Sequence, residues 1–461
     1  MELLLNNMRQ VGHVEQAEQN PGERRRHSAR LRHLLWFVRT VAYSILLALG
    51  LALLVQQVLE VSNESSDFCQ EYIAGERLAQ GSPLYAPLQD SASFSHCPPS
   101  LTYDAHPPPT ALLAYPLSFL PYHTASLLWG GCTLAAYLAC GLLLLQALGW
   151  RTLPGVALFV IGSAYWQPLA GAEGAQNLWQ VLALLIALAW VLERKGHIGW
   201  AGGLLGLAGL LKIWPALLLL GGLARHQWRL ALIGGATALL GTALTWGIVG
   251  TSAYAAYLGP VQQSERGLVP TTGNISLVGA IARLLRGDPP LLAPLVSGVS
   301  LQTATLLGEG AGGLLLLGTL ALIAWHRWRA ASEVIDLLCQ GLLVTVTLLV
   351  FPLIWYFGLI ALLLPGATTI LALRQLPRPP RWWFIALLCS ILPLLAPYTL
   401  FTLGGWLLEQ HEAGSVWMSM GLFALPTLGL LGFAGAQSYL LRHAHASHAL
   451  TDKPFRAQAS L

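Results

Sequence analysis

The chain has 461 residues, of which 55% are hydrophobic and 10% charged, with a formal net charge of +4. An average soluble protein is roughly 25% charged, and several apolar runs here reach about 20 residues, so the composition argues against a soluble core and for a polytopic membrane protein. Its 17 Trp, 47 Gly and 27 Pro suit helices that pack closely, break within the bilayer and anchor at its interfaces.

A basic segment with Arg24, Arg25, Arg26, Arg30 and Arg32 precedes TVAYSILLALGLALLVQQVL. The positive-inside rule makes the 1–35 tail cytoplasmic, and without a convincing cleavage site the first span reads as an uncleaved anchor. Further spans are expected near 123–148, 153–170, 176–193, 227–249, 305–325, 333–352, 355–373, 382–403 and 414–440, after a first one near 40–60. The stretch 198–223 has basic residues at both ends, Arg194 and Lys195 before it and Arg225 and Arg229 after it, with Lys212 and Pro215 at its middle. One span cannot return to the same side, so two short helices meeting at a turn are predicted. The result is an all-α membrane protein of about twelve segments, two of them short and broken, with both termini cytoplasmic. The loops 61–122 and 250–304, the turns at 171–175 and Lys212, and the Trp355-Tyr356 turn then face the exoplasmic side. The tails 1–35 and 441–461 read as weakly ordered polar ends, and HAHASH as solvated tail. No tandem repeat is visible.

Cys132, Cys140, Cys339 and Cys389 fall in spans and read as packing residues, whereas Cys69 and Cys97 share the first exoplasmic loop, where a disulfide can persist. No CxxC or Cys/His spacing indicates a metal. No phosphate-binding or dinucleotide loop indicates a nucleotide, so no cofactor and no nucleic-acid partner is expected.

The stretch SSDFCQEYIAGERLAQGSPLYAP places Asp67-Phe68, Tyr72 and Gly81-Ser82-Pro83-Leu84-Tyr85 directly after the first span, and His106-Pro107-Pro108-Pro109, Leu120-Pro121 and Leu128-Trp129 follow. In this order they resemble the family 87 glycosyltransferases, membrane enzymes of the GT-C superfold whose founding members are polyprenyl-phosphate-mannose-dependent alpha-mannosyltransferases. AGGLLGLAGLLKIWPALLLL and GNISLVGAIARLL resemble two later segments of that family, Gly174-Ala175-Gln176-Asn177 is a looser match to a third, and together these span about residues 40–370. Where many members carry Ser-Trp-x-His, this chain has Pro352-Leu353-Ile354-Trp355-Tyr356-Phe357. The resemblance implies a GT-C transmembrane domain over 36–440 with no metal. It also implies transfer of a hexose, mannose above all, from a polyprenyl-phosphate donor to a glycolipid or cell-envelope glycan.

Such chemistry needs a base for the acceptor hydroxyl and cationic or hydrogen-bonding groups for the leaving phosphate. Asp67, at the membrane boundary, is the candidate base, with helix capping as the alternative role. Lys212 is the phosphate candidate, because an ionisable residue within the bilayer is functional by default. Tyr72, His106, Asn274, Ser276, Arg283, Trp355 and Tyr356 are substrate-binding candidates, with capping as the alternative for Asn274. Asp104, Glu173 and Gln176 are lesser candidates, as is Glu71, which with Glu76 lies on the helical spacing of a solvated face. Arg77 is a weak phosphate candidate that can also pair with either glutamate on its own helix. The sequons at Asn63 and Asn274 read as coincidental. The rival class is a transporter or lipid flippase, which requires matching discontinuous segments in two halves. The sequence shows one such break.

Overall fold

The computed structural model describes residues 21–61, 67–99, 101–286, 298–329, 332–410 and 413–451. Asn63, Ser65 and Ser66 lie outside the described residues, as do residues 1–20 and 452–461 and the side chains of Arg24, Arg25, Arg26 and Arg30. The described chain is helical and contains no strand beyond an isolated bridge between Asn274 and Trp355. In chain order the helices are α1 (Pro21–Val61), α2 (Phe68–Gln80), α3 (Pro108–Ala114), α4 (Tyr122–Ala147), α5 (Leu153–Ala164), α6 (Gln167–Ala175), α7 (Trp179–Arg194), α8 (Ile198–Leu211) and α9 (Leu218–Ala224). They continue with α10 (Trp228–Ala256), α11 (Gln262–Gly267), α12 (Leu277–Arg286), α13 (Leu301–Arg329), α14 (Glu333–Val350), α15 (Leu363–Gln375), α16 (Arg381–Leu395), α17 (Pro397–Glu409) and α18 (Ala413–Thr451).

Among the described residues, seven helices are long and apolar enough to cross a membrane, or up to nine if each of two bent pairs is one span. The expected segmentation differs in three places. The 153–170 and 382–403 segments are not single rods: α5 and α6 meet at 63°, and α16 and α17 at 72°. Proline is the cause in both. Pro168 and Pro397 stand in the first turn of the second helix, where the missing N–H costs nothing but the ring cannot continue a preceding helix, and at Pro397 the residue before the proline also leaves the helical region. Ala396 accordingly sits at φ −136°, ψ 56°. The tails also carry helix, because the Arg- and Leu-rich stretch before residue 36 and the Ala- and Leu-rich stretch after 440 are good helix formers that extend α1 and α18.

The break at 198–223 is as the sequence predicts. Helix α8 stops at Leu211, Lys212 is extended at φ −144°, ψ 135°, and Trp214–Leu217 form a 3-10 turn into α9. Helix α8 lies almost in contact with α10 through glycines spaced i, i+4. A Cβ on Gly202 would fall 2.5 Å from the Leu230 carbonyl oxygen, and one on Gly206 would fall 2.2 Å from that of Gly234. Only glycine permits this approach of two backbones, the small-xxx-small solution to packing apolar helices in lipid.

Helix α14 is buried along nearly its whole length and forms the centre of the bundle. It also defines two ends. At its start Arg327 pairs with Asp336 and Arg194 with Glu333, and beside them Arg225 pairs with Glu193. Just beyond its other end, about 27 Å away for 18 residues at 1.5 Å each, lie Phe351 to Trp355 and the cavity described next.

Candidate active site

Asp67 stands immediately before α2, in the N-cap position, yet its side chain makes no capping hydrogen bond. Its backbone does the local work: its carbonyl accepts from the Gln70 and Glu71 amides at 3.0 and 3.2 Å, and its amide donates to the Ala175 carbonyl at 3.0 Å. The carboxylate is left to accept from the Asn177 side-chain amide. Asn177 is aimed by the left-handed Gln176 (φ 52°) that ends α6; Ser126 and Gln176 exchange hydrogen bonds, and the Trp129 indole donates to the Gln176 carbonyl. Helix α2 is itself fixed by the bonded sulfurs of Cys69 and Cys97 and by packing of Phe68 against Tyr72, Tyr122 and Trp129. At its other end Gly81 takes φ 62°, and the Ser82 amide returns to the Arg77 carbonyl, closing the helix before the Gly-Ser-Pro turn.

Behind Asp67 three further ionisable groups meet. His106 Nε2 is 3.8 Å from Asp67 Oδ2, and His106 Nδ1 is 3.3 Å from Glu71 Oε1 and 3.1 Å from Asp104 Oδ1. His106, Glu71 and Asp104 are buried. The segment carrying His106 is tied to α2 by Gln70, whose side-chain oxygen accepts from the Ala105 amide, and by Tyr85, whose hydroxyl donates to the His106 carbonyl at 2.6 Å. Burial pulls the imidazole down, but Glu71, then Asp104 through its hydrogen bond and charge, and Asp67 outweigh it and raise His106 to about 9. Burial pushes Glu71 up, against the pull of His106 and with Asp104 adding to the rise, to about 7. Among the described residues no group of three or more His, Cys, Asp or Glu side chains is disposed to hold a metal ion.

Asp67 and His106 open onto a cavity of about 230 Å³. Asn177, Trp179, Lys212, Trp214, Glu265, Arg266, Thr305 and Trp355 contribute to its walls. Lys212, carried there by the break between α8 and α9, lies 5.3 Å over the Trp179 ring, which stacks on Trp214, and makes no ion pair among the described residues. A carboxylate and an ammonium thus share one chamber at one end of the bundle, an arrangement able to accept a proton at one wall and hold an anion at another.

The structure gathers Asp67, His106, Lys212 and Trp355 at this cavity, with Glu71 and Asp104 directly behind. The other sequence candidates do not line it. The Tyr72 hydroxyl donates to the Leu120 carbonyl. Asn274 and Ser276 bind the Pro352 carbonyl, the Asn274 side-chain oxygen accepts from Ile354, and Arg283 donates to the Asn274 and Thr271 carbonyls, so these three brace the cavity rim from outside. The cap of α12 is Ser276, which accepts from the Gly279 amide, rather than Asn274. Tyr356 turns away, its hydroxyl against Gly171 and its ring against Phe357, Tyr398 and Phe401. Glu173 accepts from Gln180, and Gln176 serves the turn before Asn177. Glu71 is not on a solvated face, because the 104–107 segment covers it. Arg77 pairs with neither glutamate; it donates to the Leu84, Ala86 and Pro87 carbonyls and holds the turn after α2.

Sequence reasoning missed Glu265 and Arg266. The signal was present, for they are the only charges between Arg229 and Arg283.

A family model described as glycosyltransferase family 87 matches residues 105–352, which include His106, Asn177, Lys212, Glu265 and Trp214 but begin after Asp67. No curated protein and no solved structure matches the chain.

Proposed function

The chain belongs to glycosyltransferase family 87, and from that premise we propose that it moves a hexose, mannose first among the choices, from a polyprenyl-phosphate donor to a glycolipid or cell-envelope glycan. Asp67 takes the proton of the acceptor hydroxyl as that oxygen attacks the anomeric carbon. The bond from that carbon to phosphate oxygen breaks with inversion, and polyprenyl phosphate leaves toward Lys212; the proton on Asp67 is then lost to water. The observation that carries this reading is a carboxylate and an ammonium on the walls of one chamber. Asp67 occupies a capping position without capping, and Lys212 sits at a helix break without an anionic partner among the described residues. An ammonium in such a place is offset by an anionic ligand, and a phosphate supplies it.

The positive-inside rule supports an exoplasmic cavity, since Arg194, Arg225 and Arg327 cluster at the opposite end of α14. A donor anchored in the membrane by a polyprenyl chain suits a chamber at that level.

The test is incubation of detergent-purified protein with radiolabelled polyprenyl-phosphate hexoses and, in parallel, nucleotide sugars, each with membrane glycolipids as acceptors. Transfer from a polyprenyl-phosphate hexose is expected. Transfer from nucleotide sugars alone would overturn the donor assignment.

A further inference from the structure

We propose that a second cavity, between α11 and α13 and sharing part of its wall with the first, is the subsite for the saccharide part of the acceptor. The inference deepens the transferase reading above and rests on it.

The second cavity holds about 620 Å³, within the roughly 300–1,000 Å³ of small-ligand sites, against about 230 Å³ for the chamber at Asp67 and Lys212. Gln262, Arg266, Thr305 and Glu309 line both cavities, whereas Gln263 and Gln302 line the second alone. A molecule seated in the second cavity therefore lies beside the reacting chamber, with one of its hydroxyls extending past the shared wall toward Asp67.

The chemistry of the wall selects the occupant. These six side chains are three amides, a hydroxyl, a guanidinium and a carboxylate. An amide donates and accepts, a guanidinium donates, and an ionised carboxylate accepts, so together they match a ligand whose every hydroxyl does both. A polyprenyl chain would leave such groups unpaired against hydrocarbon, which is costly. Leu258 and Leu306, 67% and 58% exposed, add an apolar rim along which a lipid attached to the saccharide can remain in the membrane.

Two residues of the shared wall are left without partners inside the protein. Thr319 on α13 donates its hydroxyl to the Leu315 carbonyl one turn back, and Thr245 and Thr345 do the same on their own helices. Thr305, also on α13, is buried, yet its hydroxyl takes no hydrogen bond among the described residues. A buried hydroxyl without a partner costs stability, and a ligand hydroxyl supplies the partner. Glu309 stands in a helix long and apolar enough to cross a membrane, and neither it nor Arg266 makes an ion pair among the described residues. An ionisable group placed so is functional by default.

The test is a binding measurement that needs no turnover. The full chain carries Cys132→Ser and Cys389→Ser, which remove the exposed thiols, and Gly267→Cys as reporter; Gly267 lines the second cavity alone, and a Cβ there meets open space. The rate of its reaction with N-ethylmaleimide is followed with hexyl mannoside, hexyl glucoside, 1-hexanol or decaprenyl phosphate. Labelling follows the unoccupied fraction, so a hexoside at ten times its Kd should slow it about tenfold, while hexanol and decaprenyl phosphate change it less than twofold. Adding Gln263→Leu and Gln302→Leu removes two hydrogen-bonding amides and should raise the Kd for the hexoside about tenfold. Thr305→Val should weaken hexoside binding about threefold without lowering the melting temperature, whereas a structural hydroxyl would lower it.

Protection by decaprenyl phosphate alone, equal protection by hexanol, or protection by none of the four would overturn the assignment. In the transfer assay the double glutamine variant should raise the apparent KM for glycolipid acceptors about tenfold and leave that for the donor unchanged; the reverse would also overturn it. Hexoside protection in a protein that transfers no hexose from a polyprenyl-phosphate donor would support the saccharide subsite and refute the donor assignment instead.

Discussion

The two ends of α14 treat charge in opposite ways. At the arginine-rich end three cations each meet an acid: Arg225 is forked to Glu193, which also accepts from Gln227, Arg327 meets Asp336, and Arg194 meets Glu333. At the cavity end the acids crowd around one imidazole while Lys212 stands over an indole with no carboxylate in contact. Balanced pairs hold helices together. Unbalanced charge kept at the mouth of a chamber costs stability and is retained where a ligand or a reacting proton completes the balance. The first end anchors the bundle, and the second is arranged for chemistry.

That contrast can be broken from either side. The largest effect on folding is expected at the balanced end. Arg225→Ala leaves the partly buried Glu193 without its charged partner and should cost about 3 kcal/mol, read as a lower melting temperature in detergent, with activity per folded molecule preserved. At the cavity end Lys212→Ala should leave the melting temperature close to wild type or higher and weaken donor use about 10- to 100-fold, the scale of a lost hydrogen bond to a charged group. Lys195→Ala, at an exposed position beside the arginine-rich end, is the control and should change apparent donor affinity less than twofold. Equal small effects at both lysines would remove Lys212 from the phosphate. The smallest perturbation tests orientation alone. A cysteine replacing the exposed Asp90, in the loop beside α2, should react with a membrane-impermeant thiol reagent added outside intact cells, and labelling only after permeabilisation would place the chamber on the other side.

Much of this contrast is legible in the sequence because its causes are local. A charged residue and a proline inside an apolar run produce the break at Lys212, and a carboxylate at the start of a polar helix marks Asp67. What was not legible depends on contacts over long separations. Helical spacing gives Glu71 an orientation, but only the fold shows that the 104–107 segment, more than 30 residues on, covers that face. Asn274, Ser276 and Arg283 look like sugar ligands by type, but Asn274 and Ser276 are consumed by the backbone at 352–354, nearly 80 residues away, and Arg283 by the carbonyls of Thr271 and Asn274. Asn177 lies within a motif noted in the sequence, yet its contact with Asp67 depends on a turn locked by Ser126 and Trp129. The bends at Pro168 and Pro397 were open to local reasoning, and proline chemistry explains both.

Asp67→Asn tests the central claim most directly. Asparagine matches the size of aspartate and caps helices about as well, but it is not a base. Sugar transfer and donor binding should be measured on purified wild type and variant of matched melting temperature, using the same labelled polyprenyl-phosphate hexose. With Asp67 as base, the variant folds and binds donor while turnover falls by roughly 10²- to 10⁴-fold. Near-normal turnover by the variant would contradict the account.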